Sequence, residues 1–192
     1  MANKVNSPRV VELTRLPDWS ERLTEFLVEA QRSADSMQLD WTALTCALWA
    51  SDVIEVMTGV NMLEEIGISG KYEGPVSAAR AIKDAGFDNL EDFVMAWFGH
   101  KEVAPIFAQR GDLLLVPARG DAVSGKLPSG TTPILTSHNQ EGSLSETATH
   151  GEETMQVALA IADPPFFWAV NPEGLAKGNM LDAKRAFIIG QG

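Results

Sequence analysis

The single cysteine of this 192-residue chain, Cys46, lies where an amphipathic helix is expected to begin, within the stretch DWTALTCALWASD. A thiol in the first turn of a helix meets free backbone N–H groups and the positive end of the helix dipole, which favour the thiolate. The same N–H groups could hold an oxyanion during acyl transfer. The alternative is a small apolar core residue, the more common role of a lone cysteine, and the neighbouring Ala47 and Leu48 are compatible with it.

A cysteine nucleophile needs a base within hydrogen-bonding distance, and the chain contains three histidines. His100 follows a predicted helix, in WFGHKEV, where a solvent-facing loop position is expected. His138 and His150 both lie in a long segment without predicted strands, so a loop would have to bring either of them to Cys46. His150 is the candidate base, and His138 is the other possibility.

The N-terminal half of the chain predicts four helices. Asp18 and Glu21 have capping-box spacing at the start of the first helix, and Gly59 ends the second, which begins near Cys46. Pro75 begins the third helix and Asn89 caps the fourth. The apolar stripes expected to be buried are Trp19, Leu23, Phe26, Leu27 and Ala30 in the first helix, Trp49, Ala50, Val53, Ile54 and Met57 in the second, and Leu90, Phe93, Val94 and Trp97 in the fourth.

Apolar runs in the C-terminal half predict four strands, at residues 113–116, 155–163, 166–170 and 186–190. Pro164 and Pro165 mark a tight break between the second and the third. Helices followed by strands is the order of an α+β fold, here with N-terminal helices packed on a small antiparallel sheet.

Residues 118–154 form a long loop between the first two predicted strands, rich in Gly, Ser, Thr and Pro. Loops of this length inside a domain are usually functional or disordered. A partner surface and packing on its own domain both remain open for it. The chain is expected to be a single domain over residues 1–192, with an N-terminal arm at 1–15 and an inserted loop at 118–154.

Composition narrows the classes of function. A formal charge of -11 argues against general binding to nucleic acid or to an anionic membrane. One cysteine excludes an intramolecular disulfide and a multi-cysteine zinc site, and no metal or cofactor is expected. There is no apolar run of about 18 residues and no secretory signal, so we expect a protein made in the cytoplasm without membrane insertion.

The order of these motifs resembles the papain-like NlpC-type cell-wall peptidase family, especially its small phage and prophage relatives encoded among tail genes. The resemblance covers most of the chain outside 118–154. The residues that carry it are Trp41, Cys46, Asp52, Thr58-Gly59, Gly70-Lys71-Tyr72, Ala78-Ala79, Arg110-Gly111-Asp112 and the closing AFIIG.

In that family the cysteine attacks an amide of the peptidoglycan stem peptide. A histidine at the start of the strand after the Gly-Asp strand is the base, and a polar residue on the next strand orients it. The resemblance carries over Cys46 as the nucleophile position. It places Gln156 or Val157 at the base position and Trp168 at the orienting position, and an amide does not titrate near neutral pH.

Two further positions depart from the family pattern, because Thr42 and Thr45 replace the glycine after the tryptophan and the aspartate before the cysteine. Gly111 and Asp112 match the pattern, and the resemblance implies that they turn the chain into the strand and brace it.

The resemblance implies a structural or adaptor component of a phage or phage-like tail tip or baseplate, derived from a peptidoglycan-cleaving peptidase without an intact catalytic triad. Such a virion component would be made in the bacterial host cytoplasm and contact other tail-tip or hub proteins, with peptidoglycan as a further partner. The alternative is an active cysteine peptidase or amidase that cleaves stem peptides during genome entry, with Cys46 as nucleophile and His150 or His138 as base. An assembly factor absent from the finished particle is a third possibility.

Overall fold

A six-stranded antiparallel sheet carries the helices on one face, in a computed structural model that describes residues 12–34, 37, 40–65, 67–68, 72–118, 157–171 and 174–190. The helices are α1 (Trp19–Arg32), α2 (Cys46–Thr58), α3 (Met62–Glu65), α4 (Pro75–Asp84) and α5 (Leu90–Phe98). The strands are β1 (Glu102–Val103), β2 (Leu113–Pro117), β3 (Val157–Asp163), β4 (Phe166–Asn171), β5 (Gly174–Asn179) and β6 (Arg185–Phe187), in the sheet order β1-β6-β2-β3-β4-β5. The α+β prediction is confirmed.

The four predicted helices are present as α1, α2, α4 and α5. All five residues of the stripe predicted for α2 are buried, and Gly59 ends that helix with φ of 76°. The predicted capping box of α1 is wrong. Asp18 has φ of -102° and ψ of 16°, which is not the extended geometry of a capping residue, and its carboxylate instead accepts a hydrogen bond from Arg22 Nε at 2.9 Å.

Strand alternation divides the sheet into two apolar faces. The helix face packs against α1, α2 and α5, and it includes Leu113, Leu115, Leu159, Ile161, Trp168, Val170 and Phe187. The opposite face includes Leu114, Val116, Ala160, Ala162, Phe167, Ala169 and Ala186, together with Ala108 and Met180. Met180 belongs to the 3-10 turn Met180–Asp182, and Ala108 directly follows the 3-10 turn Pro105–Phe107. Helix α2 packs directly on β3 and β4, which places its first residue against the sheet.

The sequence did not predict α3, β1 or β5. Strand β5 has the sequence GLAKGN, whose glycines and asparagine disfavour a strand. It forms because it pairs with β4 along its full length, and Gly178 lies under the ring of Phe167. The last strand, predicted at 186–190, is shorter and begins earlier, at Arg185–Phe187, because only this segment pairs with β2 and β1.

A buried ion pair holds three distant parts of the chain together. Arg15 donates to Asp112 Oδ1 at 2.8 Å and to the Ile189 carbonyl at 2.6 Å. Asp112 also accepts backbone N–H groups from Gln109, at 2.7 Å, and from Ile189, at 3.1 Å. The segment before α1, the start of β2 and the end of the chain are therefore fixed to one carboxylate. The expectation that Asp112 braces the strand is confirmed.

Gly111 makes the turn that leads into β2. Its φ is 86°, a left-handed conformation, and its N–H donates to the Ala162 carbonyl at 2.8 Å. The expected role of this glycine is also confirmed.

Some predictions made from the sequence concern residues outside the described ranges. They concern His138, His150, Gln156, residues 1–11 of the predicted N-terminal arm and the inserted loop apart from Ala118. Within the described ranges, no helix has the length and apolarity needed to cross a bilayer. In those same ranges, no group of three or more His, Cys, Asp or Glu side chains is arranged to hold a metal ion.

Candidate functional site

A tight turn at residues 40–44 leads the chain into α2. The Asp40 carboxylate accepts hydrogen bonds from the backbone N–H of Thr42, at 2.8 Å, and from its hydroxyl, at 2.7 Å. The hydroxyl of Thr42 is the main cause of the lowered pKa of Asp40. Leu44 closes the turn through two backbone hydrogen bonds with Asp40. Thr42 therefore stabilises the turn before the helix.

Thr45 caps the N-terminus of α2. Its backbone is extended, with φ of -115° and ψ of 165°, and its hydroxyl accepts the N–H of Leu48 at 3.2 Å. This is the role that a small polar residue plays at an N-cap. Thr45 thus supplies the cap, and Cys46 becomes the first residue of the helix.

The thiol of Cys46 lies against β3. Part of the residue reaches solvent, but the sulfur is buried, and the backbone N–H of Leu159 donates a hydrogen bond to it. Burial raises the pKa of Cys46 above its ordinary value of 9.0, and the N–H groups of Leu159, Ala47 and Cys46 itself oppose that rise without reversing it. At neutral pH the thiol is therefore protonated, which is not the state of an activated nucleophile.

The strand that faces the thiol offers it aliphatic side chains. Val157, Leu159 and Ile161 share the helix face of β3, and Val157 is the first residue of the strand. None of the three can accept a proton. Gln156, the other candidate for the base position, falls outside the described residues. The one carboxylate of β3, Asp163 at its far end, is engaged by Arg110 at 3.0 Å and by Trp168 Nε1 at 3.1 Å.

Trp168 lies on the helix face of β4, opposite Ile161. Its Nε1 donates to Asp163 Oδ2 at 3.1 Å, and its ring lies 5.0 Å from the Lys177 ammonium. The single donor of the indole is therefore already engaged with Asp163.

The histidines do not meet Cys46 in the described part of the chain. His100 is exposed in the 3-10 turn Gly99–Lys101. It lines a groove of about 510 Å³ whose other lining residues are Glu12, Leu13, Thr14, Lys101, Glu102, Val103 and Ile188. Cys46 is not among them. His138 and His150 have no described position.

In the part of the chain that the structure describes, the site is a buried thiol at the N-terminus of a well-capped helix that packs on β3 and β4. Sequence analysis identified Cys46 and placed it correctly at the start of α2. It overlooked the turn centred on Asp40, although an aspartate two residues before a threonine is a recognisable signal of an Asx-type turn.

Comparison with known proteins gives a family match. The model of a family described as a domain of unknown function (DUF6950) matches residues 14–189. No curated protein and no solved structure matches the chain.

Proposed function

Because that family model spans most of the chain, the protein belongs to the DUF6950 family, and we propose that it is a non-catalytic structural or adaptor component of the tail tip of a phage or phage-like particle. It would have a papain-like fold of the NlpC type, derived from a cell-wall peptidase. The observation that carries the non-catalytic part is the burial of the Cys46 sulfur against β3, whose helix face presents the aliphatic Val157, Leu159 and Ile161.

The proposed papain-like fold rests on how Cys46 is placed. The cysteine opens a helix that packs on the strand following the Gly-Asp strand, as in the family described above. The N–H of Tyr72 donates to the carbonyl of Trp41, so Tyr72 contacts the turn that precedes the cysteine. These contacts bring together residues that carry the resemblance and that lie far apart in the sequence.

The proposed loss of catalysis is supported by the groups that the described part of the chain places at the thiol. A general base contributes roughly 10²–10⁴-fold to such reactions, and it must lie within hydrogen-bonding distance of the proton that it removes. The groups that hydrogen-bond to the Cys46 sulfur are backbone N–H groups, of Leu159, Ala47 and Cys46 itself, and none of these donors can take up the thiol proton. The raised pKa of the thiol acts in the same direction, since it keeps the reactive thiolate scarce.

A cell-wall assay tests this proposal. The wild-type chain, Cys46→Ala and an NlpC-type peptidase as positive control are incubated with purified peptidoglycan, and released stem-peptide fragments are measured. We expect no release above background from either form of this chain. Release by the wild type that Cys46→Ala abolishes would refute the non-catalytic function.

The location in the particle rests on the resemblance to relatives encoded among tail genes. Other tail-tip or hub proteins are the proposed partners. Quantitative mass spectrometry of purified particles from the source of this sequence should detect the chain at a fixed ratio to tail proteins. Its absence from finished particles, with presence in the producing cells, would instead indicate an assembly factor.

An active peptidase or amidase is the second candidate, and the position of Cys46 at the first residue of α2 favours it. His150 or His138 would then supply the base. If the cell-wall assay shows Cys46-dependent release, the separate variants His150→Ala and His138→Ala identify the base, because only loss of the true base should abolish release.

A further inference from the structure

We draw no further inference here: the strongest candidate, the open groove between residues 12–14 and residues 100–103, carries carboxylates and an ammonium that are already paired within the chain, Glu12 with Lys101 at 3.5 Å and Glu102 with Arg185 at 2.8 Å, so nothing in the described residues shows what would bind there.

Discussion

Cys46 experiences two opposing physical effects on its thiol. The start of α2 and the N–H of Leu159 favour the thiolate, whereas burial against the sheet favours the neutral thiol, and burial has the larger effect. Helix position alone therefore does not identify a nucleophile.

The sequence could reveal the helix start, because Thr45 and the apolar stripe of α2 are local signals. It could not reveal burial of the sulfur, which depends on β3 packing more than 100 residues later in the chain.

The cap at Thr45 can be tested at the level of a single residue. Thr45→Ala removes the oxygen that accepts the Leu48 N–H, and we expect it to lower the free energy of unfolding by about 1 kcal/mol. Thr45→Ser keeps the hydroxyl and should retain most of the stability. Urea denaturation of the three proteins measures the difference. Equal loss in both variants would show that the methyl group of Thr45, and not its hydroxyl, stabilises the helix start.

At the level of elements, strong local patterns gave correct predictions and weak ones did not. The stripe of α2 and the apolar runs of β2, β3 and β4 were identified because period and composition agreed. β5 was missed because its residues have no strand preference, and it is a strand only through its pairing with β4. The capping-box prediction for α1 was wrong because the Asp18 carboxylate pairs with Arg22 and not with a backbone N–H at the start of the helix. The spacing of Asp18 and Glu21 alone cannot decide between these two local partners.

The packing of β5 on β4 makes Gly178 difficult to replace. A Cβ at this position would lie 2.1 Å from the Cζ atom of Phe167, whose ring is fully buried. Gly178→Ala should therefore lower the free energy of unfolding by about 1–3 kcal/mol. Gly74→Ala is the matched control, since a Cβ there meets no atom within 4 Å. Thermal unfolding of both variants makes the comparison, and an equal effect in the two would contradict this account of β5.

At the level of the whole molecule, the ion pair between Arg15 and Asp112 connects the two ends of the described chain to the sheet. Burial lowers the pKa of Arg15 and raises that of Asp112, so burial disfavours both charges, and their attraction and the backbone N–H groups oppose it. The Gly-Asp pair suggested a brace for β2. The partner of the aspartate, 97 residues away, carries no signal in the sequence.

Removing one member of this pair should destabilise the whole fold. Arg15→Met leaves the Asp112 carboxylate buried without its cation, and such losses cost about 3–5 kcal/mol. Arg22→Met is the control, because it breaks a 2.9 Å pair with Asp18 that is half exposed, and we expect little change from it. Urea denaturation monitored by tryptophan fluorescence compares the two, and similar stability of both variants would show that the buried pair does not hold the chain ends.

The protonation state of Cys46 tests the central claim most directly. Ultraviolet absorbance of the thiolate, measured against pH as the difference between the wild type and Cys46→Ala, isolates the one cysteine of the chain. The same titration in urea gives the reference for the unfolded chain. We predict an inflexion above pH 9.0 in the folded protein, and higher than in urea, because burial raises the pKa of the thiol. An inflexion near or below neutral pH in the folded protein would mean an activated thiolate, and it would contradict the account of Cys46 as a non-catalytic residue.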